Sequence, residues 1–408
     1  MNKLNILDRQ MLVTFLIRGA SIFFQSLQVM LLIRLYGPAD YGVFAICLSI
    51  FSFAMVIGRM GSDHYSLKEC NTHRSADYQV CIRLSFIIII PALVATLISF
   101  AVVAMFYPPV VANSFVLFCL SSIFFGCSWN QLFILRALDK INWSIFLQTI
   151  LNPFLLICFG YLFQNKSTGL SISFLVASCV TSIITFILLR RAARIISERE
   201  AKKISVKSAI LNSRSFYKIS IFEALQSLAD SLVAGFLLMP SQVTVYSIFT
   251  RLGTFIMFPA TITMIYGNNI AARWADIGMA KILVKLKRIR IIDILASSLI
   301  LFLIFFSVPF FEFIFDIVFT QQEVIVLWIM SIAFLFDSIT NFARTAVLMG
   351  GHEKELARIF IYLLPPYLFG LAFLGSCFGL IGIAISFTVF RVSAKIWLLL
   401  IVKRLCSL

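Results

Sequence analysis

The stretch RRAARIISEREAKKISVKSAILNSRSFYK, residues 190 to 218, carries nine Lys and Arg side chains and lies near the middle of the chain. Apolar runs of roughly 20 residues lie on both sides of it, which is the length a helix needs to cross about 30 Å of hydrocarbon. Membrane β-barrels show alternating segments of about 10 residues instead. With 61% hydrophobic and only 13% charged residues, the sequence predicts an all-α integral membrane protein.

Twelve transmembrane helices are predicted, six on each side of the basic stretch. The predicted spans are residues 11–33, 41–60, 81–106, 110–135, 144–163, 170–189, 219–239, 243–270, 291–313, 325–349, 359–376 and 380–402. The predicted domains are an N-terminal six-helix bundle (1–190), a basic cytoplasmic linker (191–218) and a C-terminal six-helix bundle (219–408). Proline is expected to kink spans five, eight and eleven, at Pro153, Pro259 and Pro365-Pro366.

The charges of the connections predict the topology. One alternate set of connections holds 27 Lys and Arg side chains, whereas the other holds only Arg34 and Lys166. By the positive-inside rule, both termini and the central basic stretch are cytoplasmic. The cations are spread over seven short segments without interleaved aromatic residues, so nucleic acid is not an expected partner. The central stretch and residues 281–290 either rest against anionic membrane lipids or act as topology signals alone.

Short sequence matches favour an internal repeat. GLSISF at residues 169–174 matches GIAISF at 382–387, and the same offset of 213 residues aligns Arg190-Arg191 with Lys403-Arg404. Two halves with an even number of crossings start on the same side of the membrane. The sequence therefore predicts a parallel pseudo-repeat of two bundles, related by an axis along the membrane normal.

Charged residues inside the predicted spans mark candidate functional positions, since each charge at mid-bilayer costs about 2.5–3.5 kcal/mol on insertion scales. The cations are Arg18, Arg251, Arg344, Arg391 and Lys395, and the acids named with them are Glu223, Asp230 and Asp337. Polar residues recur beside them at helical spacing, among them Gln25, Gln28 and Asn341. This pattern predicts a hydrated interior.

Five cations against three acids predict an interior that accepts an anion. Arginine suits phosphate because its planar fork makes bidentate contacts and stays protonated. Alternatively, the charges pair with one another and lock helices together, and Arg18, Arg344 and Lys395 extend partly to the interface. No phosphate-binding G-x-x-x-x-G-K-[ST] loop and no metal-type Cys or His spacing occurs, so neither an enzyme nor a cofactor is expected.

Several stretches resemble polysaccharide flippases of the multidrug/oligosaccharidyl-lipid/polysaccharide (MOP) exporter superfamily. They are RLYGPADYG at residues 34–42, RALDK at 136–140, Asp230 with MPSQVTVY at 239–246, and GGHEK at 350–354. The resemblance implies a MATE-like transporter of twelve helices in two bundles, closest to Wzx-like O-antigen flippases. Such proteins move an undecaprenyl-diphosphate-linked oligosaccharide across the bacterial inner membrane by alternating access, as part of lipopolysaccharide and polysaccharide biosynthesis.

The resemblance also implies partners and residue roles. Expected partners are the lipid-linked oligosaccharide diphosphate, membrane lipids, a coupling proton or sodium ion, and the polysaccharide polymerase machinery. Arg18 and Arg251 lie at places similar to the functional cavity arginines of helices one and eight in related flippases. The expected ligands of the diphosphate or of acidic sugars are Arg18, Arg251 and Arg391; those of sugar hydroxyls are Gln25, Gln28 and Asn341. Asp230 and Asp337 are expected to orient the arginines or to bind a coupling proton.

Two features depart from the family pattern. Thr244 stands where the family often has Gly, and span one lacks the acidic residue seen in many drug-exporting relatives. The second departure counts against the alternative function, an ion-coupled multidrug exporter. A non-transporting assembly protein of the cell envelope is a third possibility, which predicts that neutralising the buried charges leaves activity intact.

Overall fold

The computed structural model describes residues 2–63, 65–66, 78–138, 140–164, 168–196, 206–261, 279–349 and 353–406. The helices of the first half are α1 (Asn2–Arg59), α2 (Tyr78–Ile87), α3 (Ile89–Phe106), α4 (Pro109–Ala137), α5 (Ile141–Phe146), a π-helical turn (Leu147–Leu151), α6 (Asn152–Leu162) and α7 (Gly169–Ile196). They are followed by α8 (Val206–Leu237), α9 (Pro240–Ile256), α10 (Met279–Phe306), α11 (Val308–Phe315), α12 (Gln321–Met349) and α13 (Glu353–Cys406).

The protein is an all-α, multi-pass membrane protein, as predicted, and no strand occurs in the ranges just given. Within the described residues, seven helical segments are long and apolar enough to cross a membrane, and α10 with α11, bent by 69°, forms an eighth candidate. Two of the seven, Leu16–Arg59 and Arg358–Leu405, have 44 and 48 residues and thus the length of two spans each. Every predicted span contains a helix in its described part; residues 262–270 of span eight lie outside it.

Glycines break the two longest helices. Gly37 in α1 has φ 82°, and Gly379 in α13 has φ 56°, a region of backbone space that residues with a Cβ rarely adopt. Gly37 lies in the stretch 34–42, where the sequence predicts the turn after span one, and Pro38 follows it. Pro240 starts α9 after the extended residue Met239, which agrees with the preference of a residue before proline for extended backbone.

The prolines inside spans have unequal effects. A π-helical turn ends at Leu151, two residues before Pro153, and the Asn152 amide donates to the Leu147 carbonyl. A wider turn at this point accommodates the missing proline N–H and its ring. Helix α9 ends at Ile256, three residues before Pro259. In α13 the non-helical dihedrals lie at Gly379, so the kink expected at Pro365-Pro366 is not a break in helical backbone.

The two matching hexapeptides make the same local contacts. Ser173 Oγ donates to the Gly169 carbonyl over 2.7 Å, and Ser386 Oγ donates to the Gly382 carbonyl over 3.0 Å. A Cβ at either glycine would lie 2.2 Å or less from a main-chain oxygen. The phenylalanines that end the hexapeptides are both buried. These equivalences support the internal repeat.

The chain divides into two compact units, Met1–Leu228 (unit 1) and Ala229–Leu408 (unit 2). The boundary falls inside α8. The basic stretch is helical where it is described, as the end of α7 and the start of α8, and residues 197–205 lie outside the described ranges. The assignment of 1–190 and 219–408 to two six-helix bundles stays a prediction.

The core of unit 1 is aromatic. Phe118 stacks on Phe174 at a centroid distance of 4.7 Å, and Phe51 lies 5.5 Å from Phe118 and 5.4 Å from Phe125. In unit 2, Phe334 of α12 and Phe387 of α13 are buried with ring centroids 5.4 Å apart. Bulky rings at these positions fix the spacing between helices that carry the buried charges.

Candidate functional site

Unit 2 contains a buried ion cluster, the Asp337 cluster, formed by Asp337, Arg391 and Lys395. Arg391 Nη1 donates to Asp337 Oδ2, and Lys395 Nζ lies 3.2 Å from Asp337 Oδ1. The side chains of Arg391, Lys395 and Asp337 are 15%, 12% and 6% exposed. Arg391 and Lys395 are four residues apart on α13 and therefore share one helix face. One carboxylate thus pairs with two cations. For these three residues the structure agrees with the alternative that the buried charges pair with one another.

Asp230 of α8 is a second buried acid of this region. Its side chain is 2% exposed, and the Tyr246 hydroxyl of α9 donates to Oδ2. No described residue donates a hydrogen bond to Oδ1. Asp230 also interacts electrostatically with Arg391. Asp230 was predicted from the sequence and Tyr246 was not, because a tyrosine in an apolar run carries no signal of an acid partner.

Aromatic rings surround the Arg391 guanidinium. Its Cζ lies 4.2 Å from the ring centroid of Phe387 and 5.1 Å from that of Phe334. Cation–π attraction adds to the ion pair, and the rings exclude water and so strengthen it. Gly253 of α9 leaves the space that Phe334 fills, since a Cβ there would lie 2.0 Å from Phe334 Cε2.

The other predicted site residues of unit 2 are less closely joined. Asn341 Nδ2 donates to the Ala260 carbonyl over 2.9 Å, so this side chain links α12 to the residues that follow α9. Arg344 lies close enough to Lys395 for like-charge repulsion. Arg251 is half-buried on α9.

The three interior acids named from the sequence are an undercount. Asp293 in α10 is 4% exposed, and Glu312 in α11 is half-buried and accepts a hydrogen bond from the Phe319 amide over 2.8 Å. Both lie within predicted span nine. Among the described side chains of unit 2, buried acids and cations are therefore close to balance, which differs from the excess of cations counted along the sequence.

Among the side chains of unit 1 that the structure describes, buried cations outnumber buried acids; Glu223, named from the sequence, lies outside them. Arg18 is half-buried on α1, and no described residue accepts a hydrogen bond from its Nε. Arg136 of α4 donates to Ser144 Oγ over 2.9 Å and to Gln148 Oε1 over 2.6 Å. Arg18 and Arg136 are near enough to repel each other. The side chains of Gln25 and Gln28 are half-buried on α1.

A cavity of about 360 Å³, the Trp129 cavity, also lies in unit 1. Its walls come from α1, α4 and α8 and from Asp63, and they include Ser52, Arg59, Asp63, Phe125, Trp129 and Ser220. Arg59 Nη1 lies 3.2 Å from Asp63 Oδ2, and the guanidinium is 4.7 Å from the Trp129 ring centroid. Sequence analysis counted Arg59 only as a helix-end cation. The i, i+4 spacing of Arg59 and Asp63 is the signal that was available for this pair.

Comparison with known proteins identifies the fold. No protein-family model and no curated protein matches the chain. Among solved structures, it is similar to an inward-facing multidrug resistance MATE transporter of the MOP superfamily, with TM-score 0.70, 12% identity, and coverage of 96% of this chain and 99% of that one. It is also similar to the lipid II flippase MurJ in an inward closed conformation, with TM-score 0.67, 16% identity, and coverage of 96% and 87%.

A third similar structure is a MOP superfamily transporter from Pyrococcus furiosus, described as having a binding pocket of reverse polarity. Its TM-score is 0.64 at 12% identity, and the match covers 97% of this chain and 94% of that one. At these identities the likeness establishes the fold. The chain is therefore a multi-pass membrane protein with the MATE-like fold of MOP superfamily transporters.

Proposed function

We propose that the protein is a flippase that translocates an undecaprenyl-diphosphate-linked oligosaccharide, an O-antigen repeat unit, across the bacterial inner membrane by alternating access. The observation that carries the proposal is the charge balance of unit 1. Arg18, Arg59 and Arg136 are buried or half-buried there, and Asp63 is the one buried acid among the side chains of unit 1 that the structure describes. The MOP-type fold is consistent with transport.

A diphosphate matches this charge balance. Guanidinium groups make paired hydrogen bonds to phosphate oxygens and do not lose their proton on desolvation. Contacts of this kind are stronger inside a protein than in water because the effective dielectric constant is lower. Arg18 is the best placed of the three arginines, because Arg136 donates to Ser144 and Gln148, and Arg59 is paired with Asp63.

In unit 2 the candidate anion ligands are Arg251 and Arg391. Arg391 already bonds to Asp337, so an anion would bind it only in exchange for this carboxylate or beside it. We assign sugar hydroxyls to Gln25 and Gln28, whose amides both donate and accept hydrogen bonds. One amide hydrogen of Asn341 is used in its bond to the Ala260 carbonyl. We assign its remaining hydrogen-bonding groups to sugar hydroxyls.

Replacing Arg18 tests the proposal. Arg18→Ala should slow flipping about 10- to 100-fold, because a hydrogen bond to a charged group contributes about 1.5–3 kcal/mol. Arg18→Lys should retain part of the activity, since it keeps the charge but loses the fork. The measurement is the transfer of a fluorescent undecaprenyl-diphosphate oligosaccharide across proteoliposome membranes, scored by quencher accessibility.

Arg190→Ala is the matched control, because Arg190 is exposed at the end of α7. It should flip lipid at the wild-type rate. Wild-type flipping by both Arg18→Ala and Arg251→Ala, at normal protein abundance, would contradict the assignment of these arginines to the substrate.

The alternative function, an ion-coupled multidrug exporter, is favoured by one observation. Asp230 Oδ1 is buried with no hydrogen-bond donor among the described residues, which suits a group that binds a proton or a sodium ion. This alternative predicts that expression raises the drug tolerance of a sensitive strain and that Asp230→Asn abolishes the gain. A flippase predicts loss of surface polysaccharide instead.

A further inference from the structure

We propose that the Trp129 cavity binds an uncharged sugar ring of the oligosaccharide, while the diphosphate binds elsewhere in the protein. The inference rests on the proposed function and names the part of the substrate that enters this cavity. It follows from the charge, the hydrogen-bonding groups and the size of the cavity.

The described residues that line the cavity carry no net charge. Arg59 and Asp63 are its charged side chains, and they are 8% and 5% exposed and paired with each other. Arg59 Nε also donates to the Met55 carbonyl over 3.0 Å. The guanidinium is thus held on several sides, by Asp63, by Met55 and by the Trp129 ring. An anion would have to compete with Asp63, whereas a neutral ligand leaves this pair intact.

The cavity offers hydrogen-bond donors and acceptors together. The Ser52 hydroxyl donates to the Leu48 carbonyl over 2.6 Å, so its oxygen presents lone pairs. Asp63 is a further acceptor, and Arg59 is a donor. Ser220 Oγ is buried with no hydrogen-bond partner among the described residues, and an unsatisfied buried hydroxyl is stabilised by a ligand that supplies one. Sugar hydroxyls both donate and accept, whereas phosphate oxygens at neutral pH chiefly accept.

Aromatic rings form one wall, and Met55, Val56, Ala224 and Leu228 complete the apolar lining. Phe125 stacks on Trp129 with ring centroids 5.3 Å apart and an interplanar angle of 29°, and Phe133 lies beyond Trp129 at 6.4 Å. The C–H face of a pyranose is apolar and packs on such surfaces. A volume of about 360 Å³ lies at the small end of the roughly 300–1,000 Å³ of ligand pockets. It suits a small saccharide and is too small for a polyprenyl chain.

The test compares two lipids on the purified protein in nanodiscs. One is the lipid-linked oligosaccharide extracted from a strain of the source bacterium in which this gene is inactive, and the other is undecaprenyl diphosphate without sugar. Trp129→Ala and Ser220→Ala should each weaken binding of the sugar-bearing lipid, Trp129→Ala by about five- to tenfold. Both should leave binding of the sugar-free lipid unchanged. Trp143→Ala is the control, because Trp143 is 52% exposed.

The outcomes separate this inference from the proposed function. If both cavity variants bind the sugar-bearing lipid as the wild type does, or lose both lipids equally, the sugar assignment is overturned while the flippase proposal stands. If the wild type neither binds nor flips the sugar-bearing lipid, the proposed function fails and the inference fails with it. Trp129→Phe, which keeps an aromatic wall, should bind nearly as the wild type, and unchanged binding of the sugar-free lipid by Trp129→Ala shows that this variant is folded.

Discussion

Asp337 pairs with two buried cations, more than any other acid for which the structure gives ion pairs. It contacts Arg391 and Lys395 at once, and all three side chains are at most 15% exposed. A buried ion pair contributes little net stability compared with apolar residues of the same shape, but removal of one partner leaves a charge without compensation. Asp337 therefore adds little net stability, but its loss would leave two buried cations without a counter-charge.

Asp337→Asn should destabilise the protein by about 3–5 kcal/mol, the usual effect of breaking a buried pair. Thermal unfolding of the purified protein in detergent measures this. Glu355→Gln is the control, since it removes the Arg358–Glu355 pair, whose side chains are 62% and 36% exposed, and should change stability by at most about 1 kcal/mol. Equal shifts in the two variants would show that the Asp337 cluster is not a buried pair in the folded protein.

Single residues were predictable from the sequence where a charge interrupts an apolar run. Asp337, Arg391 and Lys395 were named in this way, but their pairing joins positions 54 residues apart and leaves no trace in local periodicity. Trp129 and Ser220 were missed because each is an ordinary residue of a membrane helix when read alone. Asp293 was missed because it lies only two residues inside a predicted span.

The contact of α9 with α12 depends on a glycine. Gly253 allows Phe334 to lie against α9, and Phe334 in turn lies 5.1 Å from the Arg391 guanidinium. The two helices are thus brought close enough for an aromatic ring to cover the ion pair. A larger residue at position 253 would act on Arg391 through this ring.

Gly253→Ala should destabilise the protein by about 1–3 kcal/mol, the usual effect of overpacking, because the new Cβ would lie 2.0 Å from Phe334 Cε2. Flipping should fall as well. Gly370→Ala is the control, since its nearest neighbour would be Ser386 Oγ at 3.5 Å, an ordinary contact. Unfolding temperature and proteoliposome flipping report the two effects, and a Gly253→Ala variant as stable as Gly370→Ala would contradict the close approach.

The helices themselves were predictable because apolar runs of about 20 residues have few alternatives in a bilayer. The sequence also contains the cause of the turn at Gly37, a glycine followed by proline. The π-helical turn at Leu147–Leu151 was not predictable, since Pro153 indicates a disturbance without specifying its form. Pro365-Pro366 shows the same limit, because tertiary packing decides how much a membrane helix responds to proline.

The distribution of charge over the whole chain predicts its orientation. Cytoplasmic connections are expected to hold 27 cations and the opposite connections two. Alkaline phosphatase, which is active only outside the cytoplasm, should be active when fused after Asn113 and inactive when fused after Arg191. Both positions are exposed in unit 1. The reverse pattern would overturn the topology and with it the assignment of both termini to the cytoplasm.

The sequence predicted the class of fold but not how charge is divided within it. Counting the charged residues inside the predicted spans gives a single interior with more cations than acids. Among the described side chains, those of unit 2 are near balance, because Asp293 and Glu312 add to its acids, and those of unit 1 have the excess of cations. Such a division depends on which side chains are buried, which periodicity alone does not determine.

The Asp337 cluster also limits how unit 2 can move. Asp337 joins α12 to the part of α13 that follows Gly379, and the Thr388 hydroxyl donates to the Ile329 carbonyl over 3.0 Å between the same two segments. Sliding them apart would strip three charges of their partners in a medium that does not solvate them. These segments are therefore expected to move as one rigid body. The backbone of α13 leaves the helical region at Gly379, and the residues before it are tied to those after it, because Tyr367 stacks on Phe390 and Tyr362 on Trp397.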